Sequence, residues 1–339
     1  MSSESSAREQ SSNRRRRSRR RKNSNGSSKK AQNASSPKQQ PRKLLSLDEL
    51  IQRMSDHTPI QPIERIRLET SKDESIGRIF DMVTPIGKGQ RCLVTSPPKA
   101  GKTTVLQSVA RAVAKNHPEI VQIALLVDER PEEATDFRRN VPVEVLASTS
   151  DQTAKQHVKL TEEVFQRAIT ELLEGKDVLI LLDSITRLAR AYNNLAGSGK
   201  ILSGGITAGA LDRPRQLFGA ARKLEGCGSL TIVATALVET GSVMDEVIFQ
   251  EFKGTGNLEL ILDRELSQRR FFPAVHINPS GTRRELELLN EVEKIKVPAL
   301  RRQLADMSKE ESLSWLLKRI RKTTSNKELL GSINTSSHS

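Results

Sequence analysis

Three stretches of the chain hold residues whose types and spacing can do chemistry. Ser96-Pro97-Pro98-Lys99-Ala100-Gly101-Lys102-Thr103 follows an apolar run, Cys92 to Val94, and precedes a helical pattern from Thr104 to Ala114. In a strand–loop–helix setting, backbone N–H groups of the loop and of the helix's first turn cradle a polyphosphate. Lys102 then falls to the β- and γ-phosphates, and the Thr103 hydroxyl to a magnesium ion. Ser96 stands where glycine opens the G-x-x-x-x-G-K-[ST] pattern, so the loop alone is an incomplete match. Asp183 closes the run Val178-Leu179-Ile180-Leu181-Leu182. A carboxylate at the carboxyl end of a central parallel strand reaches the hydration shell of Mg2+; its alternative is a helix N-cap. Asp128-Glu129-Arg130-Pro131-Glu132-Glu133 ends a further apolar run, Val121–Val127. Glu129 is the candidate to polarise an attacking water, with Arg130 as a γ-phosphate or intersubunit contact. The plain alternative is an acidic surface cluster at the start of a helix that Pro131 opens.

The elements that must position these residues alternate along the chain. Val121–Val127 reads as a strand, Pro131–Arg139 as a helix, Val143–Ala147 as a strand, Thr153–Leu173 as a long helix and Val178–Leu182 as a strand. Leu230–Leu237 and Leu258–Leu262 add further strands, and from Arg284 the pattern is helical to about Leu330, with Trp315 in a small helical core. Continuous apolar strands separated by helices predict an α/β fold with a mostly parallel central sheet buried on both faces, followed by a helical C-terminal part. Upstream, Ser46 with Glu49 three residues on predicts a capped amphipathic helix to Met54. Pro59 and Pro62 mark an extended connector over 57–71. Gly87-Lys88-Gly89-Gln90-Arg91 is a turn before the phosphate-loop strand, either an ordinary hairpin turn or a nucleotide contact. The expected division is a tail over 1–43, a helix and connector over 44–75, a core over 76–330 and a C-terminal tail over 331–339.

Charge is unevenly distributed. The chain of 339 residues has a net charge of +14, and residues 1–43 carry 14 Lys and Arg against Glu4 and Glu9. The basicity therefore belongs to a Ser/Arg-rich tail with little to bury, expected to be disordered. Its densest cluster, Arg14, Arg15, Arg16, Arg17, Arg19, Arg20, Arg21 and Lys22, suits a polyanion, RNA first, through salt-sensitive phosphate contacts. A solvated tail or an organellar transit peptide is the alternative. Two distant cysteines, Cys92 and Cys227, suggest a reducing cytoplasmic setting without a disulfide framework. Apolar runs fall short of a membrane span, so no membrane is expected.

At the level of whole motifs the chain resembles the bacterial Rho family of transcription termination factors. The resemblance is carried by the Pro-Pro-Lys-Ala-Gly-Lys-Thr loop, Asp128 to Glu133, Leu182-Asp183-Ser184-Ile185-Thr186-Arg187-Leu188-Ala189-Arg190-Ala191-Tyr192-Asn193, and Glu251-Phe252-Lys253-Gly254-Thr255-Gly256-Asn257. It runs from about Thr58 to Leu330, and that family's loop also lacks the first glycine. It implies a RecA-like P-loop ATPase core assembling as a homohexameric ring that draws RNA through its centre. ATP contacts would fall on Gly87, Lys88, Gly89, Gln90, Arg91 and Cys92, on Lys99, Ala100, Gly101, Lys102, Thr103 and Thr104, and on Arg130, with Phe272 stacking on adenine. Arg283 would be the arginine finger offered to a neighbouring subunit, a contribution of about 10³–10⁵ in rate. The loop with Lys200, Ile201, Leu202, Ser203, Gly204 and Gly205 would face the pore, as would Thr240 to Glu246.

Two departures qualify the resemblance. Val243 occupies a pore position usually taken by lysine or arginine, with Lys253 expected to compensate. The family's N-terminal OB barrel, which needs stacking aromatics, has no counterpart in residues 1–57, where Phe, Tyr and Trp are absent. The basic tail is the expected substitute. The implied function is an RNA-dependent ATPase and 5′→3′ RNA–DNA helicase acting on nascent RNA at RNA polymerase in transcription termination. Its rivals are a ring ATPase that has lost RNA translocation, a rotary or secretion ATPase subunit, and an RNA-binding protein without hydrolysis.

Overall fold

The computed structural model of the chain describes residues 45–197 and 199–334. Its helices are α1 (Leu47–Ser55), α2 (Ser75–Val83), α3 (Lys102–Asn116), α4 (Pro131–Asn140), α5 (Ala154–Leu173), α6 (Ile185–Leu195), α7 (Asp212–Gly219), α8 (Val243–Thr255), α9 (Arg264–Gln268), α10 (Glu291–Ala305), α11 (Lys309–Lys322) and α12 (Asn326–Gly331). The strands are β1 (Pro59–Ile60), β2 (Arg65–Ile66), β3 (Ile86–Gly87), β4 (Arg91–Ser96), β5 (Val121–Glu129), β6 (Glu144–Thr149), β7 (Asp177–Asp183), β8 (Arg222–Leu224), β9 (Ser229–Leu237), β10 (Leu258–Ile261) and β11 (Gly281–Thr282).

The central sheet has the order β11-β10-β4-β9-β7-β5-β6, with β8 and β1 added beside β9. From β10 to β6 every pairing is parallel, and β11 closes the far side antiparallel to β10. Alternating side chains feed two separate cores. Cys92, Val94, Ala124, Leu126, Leu179 and Leu181 point to the face covered by α2, α3, α10 and α11. Leu93, Ile123, Leu125, Val127, Ile180 and Leu182 point to the face covered by α1, α5, α6 and α8. Both faces are dry, which is why these strands read as unbroken apolar runs.

Caps explain most helix starts. Ser46 and Glu49 close the capping box foreseen for α1, and Thr153 with Gln156 does the same for α5. Leu50 and Met54 of α1 pack into the α5 side; within the expected connector over 57–71, β1 pairs with β8 and β2 with β3. These two-residue strands are too short to leave a periodic signature. Trp315 lies partly buried at the helical end with the Arg319 guanidinium 4.1 Å from its ring centre. No described helix is long and apolar enough to cross a membrane. The basic cluster Arg14–Lys22 lies outside the described residues.

Candidate nucleotide site and the loops coupled to it

Parallel strands deliver their carboxyl ends to one edge of the sheet, and three of them build the site there. β4 ends at Ser96 and leads into the phosphate loop, β5 ends at Glu129 and β7 at Asp183. The loop turns through Lys99 and Gly101, both with positive φ, and α3 then starts without a side-chain cap or an acid in its first turn. A Cβ built on Gly101 meets nothing within 4 Å. The first N–H groups of α3 thus have no side-chain cap, which leaves them for a polyphosphate.

Lys102 Nζ donates to Glu129 Oε2 at 2.7 Å and to both Asp183 oxygens at 2.9 Å. Burial works to lower the ammonium's pKa, but Asp183 and Glu129 outweigh it and hold the value above the ordinary 10.5. Burial likewise works to raise the Glu129 carboxyl; Lys102 and Arg187 outweigh it and keep the value below 4.5. Asp183 is 1% exposed and accepts a further hydrogen bond from the Thr235 hydroxyl at 2.8 Å. Its N-cap alternative fails, because Ser184 caps α6. Asp183 and the Thr103 hydroxyl give the hard oxygen donors that Mg2+ takes, mostly through waters. These residues fit both a nucleoside triphosphate and its metal.

The neighbouring candidates divide into two groups. Arg130 is exposed, reaches Glu133 at 3.7 Å and lies on the site's rim. Phe272 is an exposed aromatic in the loop after α9, and α9 leans on the phosphate loop through Ser267 Oγ donating to the Lys99 carbonyl at 3.0 Å. Arg283 lies at the opposite edge. Its N–H donates to Asn257 O, and β11 pairs Thr282 with Leu258, which in turn pairs with Cys92 at the start of β4. The six residues of β4 put about 17 Å between that edge and the phosphate loop. Arg283 therefore cannot reach its own chain's loop.

Gly87, Lys88, Gly89, Gln90, Arg91 and Cys92 lie at the amino edge with Arg283, away from their own chain's phosphate loop, where the nucleotide contact expected of them could, like that of Arg283, only be with a second copy. Lys88 is bound to Asp177 at 2.7 Å, and Gly89 N–H donates to Thr231 Oγ1. The Gln90 amide bonds Asn257, and Arg91 donates to the Thr255 and Ala221 carbonyls. Cys92 is fully buried, and burial pushes its thiol up. Burial, then the charges of Arg222 and Arg283, lower the pKa of Arg91.

Two loops rise from the carboxyl edge beside α6. Ser203–Gly205 forms a short turn within the bridge Ile201–Thr207 and packs on the start of α8, where Gly204 abuts Val247 and Met244. Ile201 (72% exposed), Leu202 and Val243 (66%) make an apolar rim there, with Lys200 exposed next to it. Lys253 does not join them. It sits ten residues along α8 from Val243, about 15 Å, where it pairs with Glu259 at 3.5 Å and lies over Phe249. The expected compensation is thus not at the rim.

Sequence reasoning passed over the residues that join the site to these loops. Arg187, Arg190 and Asn193 recur every three positions on one face of α6. Arg187 pairs with Glu129 at 3.2 Å. Arg190 grips Asp245 of α8 through Nε and a second guanidinium nitrogen, both at 2.7 Å. Asn193 donates to Gly205 O and accepts from Thr207 N–H at 2.7 Å. All three lie inside the motif after Asp183, and their shared spacing was the available signal.

Comparison with known proteins agrees with this geometry. Residues 77–282 match the ATP synthase alpha/beta family, nucleotide-binding domain. The chain is 53% identical over 274 residues to transcription termination factor Rho of Mycobacterium tuberculosis H37Rv, a match over 80% of this chain and 46% of that protein. It is 51% identical over 280 residues to the Rho of Karelsulcia muelleri, over 82% and 74%. The chain spans about half the length of the first of these relatives. Among solved structures it is similar to a prototypical ATPase from the type III secretion system of pathogenic bacteria, with TM-score 0.64, 22% identity and coverage of 76% and 82%. The assembled ATPase EscN of enteropathogenic E. coli gives TM-score 0.63 at 22% identity over 81% and 71%. These two likenesses concern the fold alone. The motifs, their order along the chain and the level of identity agree, and the chain belongs to the Rho family of transcription termination factors, on the nucleotide-binding fold of the ATP synthase alpha/beta family.

Proposed function

We propose that the chain is a cytoplasmic, RNA-stimulated ATPase that works as a homohexameric ring, moves 5′→3′ along nascent RNA, unwinds RNA–DNA hybrids and promotes transcript release from RNA polymerase. The observation that carries the proposal is Lys102 shared between Glu129 and Asp183 at one sheet edge, with Arg283 at the other. Lys102 changes partners when ATP binds, because the phosphates compete for an ammonium now held by two carboxylates. Glu129 is then released toward the attacking water, kept ionised by Arg187. Arg130 closes over the phosphates from the rim, and Phe272 stacks on the base. Thr103 and Asp183 would hold Mg2+, which would supply charge neutralisation for the phosphates. Arg283 completes the site of a second copy, which makes hydrolysis depend on assembly.

RNA meets the rim formed by Lys200, Ile201, Leu202, Ser203, Gly204 and Gly205 with Val243, and α6 relays its presence to Glu129. Residues 1–43 serve as the electrostatic tether, residues 44–75 as a helix and connector, residues 76–330 as the motor, and 331–339 as a terminal extension. The secretion-ATPase reading rests on fold likeness at 22% identity and is the weaker one. ATP turnover by the purified chain, with and without poly-pyrimidine RNA, tests the proposal. RNA-stimulated turnover that Glu129→Ala abolishes is expected, and turnover indifferent to RNA would overturn it.

A further inference from the structure

β9 is buried along almost its whole length, yet one of its polar side chains points into the nucleotide site. Leu230, Ile232, Ala234 and Ala236 face the α5 side, so Thr231, Val233 and Thr235 face the α3 side, where Lys102 meets Asp183. β9 lies between β4, which leads into the phosphate loop, and β7, which ends at Asp183. Thr235 pairs with Val94 of β4, and its neighbour Ala234 pairs with Leu182 of β7. Thr235 is 0% exposed, so its hydroxyl needs a partner inside the protein. That partner is Oδ1 of Asp183 at 2.8 Å.

Chemistry fixes the direction of this bond. A hydroxyl has one proton to give and a carboxylate only accepts. The Leu182 carbonyl, 3.5 Å from the same hydroxyl, is a poor competitor at that distance. Threonine is β-branched, so its χ1 has few choices and the strand itself places the hydroxyl. Two residues further on, Leu237 N–H donates to Thr186 Oγ1 at 2.9 Å, which ties the end of β9 to the first turn of α6 close after Asp183. The two oxygens of Asp183 are therefore unequal. Oδ1 accepts from both Thr235 and Lys102, whereas Oδ2 has Lys102 as its donor among the described residues. Lys102 is a long side chain that the phosphates can draw away; Thr235 stays where β9 puts it.

We propose that Thr235 is a positioning residue for the metal carboxylate: its hydroxyl keeps Oδ1 of Asp183 engaged after Lys102 leaves for the phosphates, and so presents Oδ2 to Mg2+ and its waters. The inference rests on the reading of Asp183 as the magnesium carboxylate. In the free chain Lys102 bridges both oxygens and holds the carboxylate by itself. Once the ammonium has moved, Thr235 is the donor that remains, and it fixes the plane of the group. Loss of the hydroxyl falls mainly on the metal-bound state. Without metal the carboxylate is free to turn after Lys102; the metal requires one orientation, held by groups outside the ligand shell itself.

The test follows binding of a fluorescent ATP analogue to the full chain as Mg2+ is titrated, and again in EDTA, for Thr235→Ala, Thr235→Ser, Thr235→Val and Asp183→Asn. Ser and Ala are nearly equal in size and differ by the hydroxyl, while Val keeps the shape of threonine without it. For Thr235→Ala and Thr235→Val the half-saturating Mg2+ concentration should rise roughly tenfold, the lower end of what a hydrogen bond to a charged group contributes, with affinity in EDTA within about twofold of wild type. Thr235→Ser should stay close to wild type in both. A wild-type Mg2+ response in Thr235→Ala and Thr235→Val, beside a weakened one in Asp183→Asn, overturns the inference alone. Equal loss in Thr235→Ser and Thr235→Ala, or binding lost in EDTA as well, also overturns it, since a packing defect does not distinguish the hydroxyl. A wild-type Mg2+ response in Asp183→Asn removes the reading of the site itself.

Discussion

Arg190 is the sharpest place to cut the link between the pore rim and the nucleotide site. Its guanidinium holds Asp245 at two contacts of 2.7 Å, one turn of α6 beyond the Arg187 that pairs with Glu129. Asp245 is 2% exposed and also accepts from the Thr240 hydroxyl at 2.6 Å. Replacing Arg190 by Gln removes the charge and leaves Thr240 as a remaining partner. Hydrogen bonds to charged groups contribute about 1.5–3 kcal/mol each. Arg190 is 44% exposed, so solvent screening discounts the pair to roughly 2 kcal/mol in total. At about 1.4 kcal/mol per decade, the equilibrium between ordered and disordered arrangements of the loop before α8 shifts roughly thirtyfold toward disorder. RNA-free ATP turnover should stay within about twofold of wild type, because Arg190 does not touch Glu129, Lys102 or Asp183. The RNA concentration for half-maximal stimulation should rise, by at most about that thirtyfold, because apparent affinity falls with the competent fraction. Titrating RNA against steady-state ATP turnover measures both quantities. Unchanged stimulation, or RNA-free and RNA-stimulated rates falling together, refutes the coupling through α6.

Two further predictions follow the charges. Glu129 has a pKa below 4.5 in the folded chain, so its ionised form prevails from neutral pH down through that value and is lost only below it. Arg187→Leu removes a cation 3.2 Å from the carboxylate and must raise its pKa, so the acid limb of the kcat–pH profile should move to higher pH; a limb that stays put or moves lower contradicts the assignment. Val243→Lys adds a cation to a rim where Ile201 and Leu202 are exposed, and each new phosphate contact should steepen the dependence of log affinity on log salt by about 0.7. Salt titration of RNA affinity reads this directly, and an unchanged slope places Val243 away from RNA.

The layered fold was legible because buried parallel strands leave unbroken apolar runs, and because caps such as Ser46–Glu49 and Thr153–Gln156 announce helices locally. The core of the site was legible for a related reason. Lys102, Glu129 and Asp183 each follow a strand that ends at the same sheet edge, so strand ends in sequence translate into neighbours in space. Where residues lie at the other end of an element, that translation reverses. Gly87–Gln90 precede β4, Arg91 and Cys92 open it, and Lys253 lies in the last turn of α8; in each case the element carries the chain away from the neighbours that sequence adjacency suggests. The bulge at Asp128, between the β5–β6 pairs Val127 with Ser148 and Glu129 with Thr149, was invisible because one extra residue leaves no trace in an apolar run. The polar face of α6 was hidden differently: Arg187, Arg190 and Asn193 have meaning only through partners on β5, α8 and the 200–207 loop.

The central claim is that one chain carries the phosphate loop and a second chain the arginine that completes it. The most direct measurement mixes two inactive variants, Lys102→Ala and Arg283→Ala, in equal amounts before assembly and follows ATP turnover with RNA. Each variant alone should be nearly inactive. The mixture should recover a substantial fraction of wild-type turnover, because some contacts pair an intact loop with an intact Arg283. Wild-type turnover by Arg283→Ala alone, or a mixture as inactive as its components, would contradict a site shared between copies.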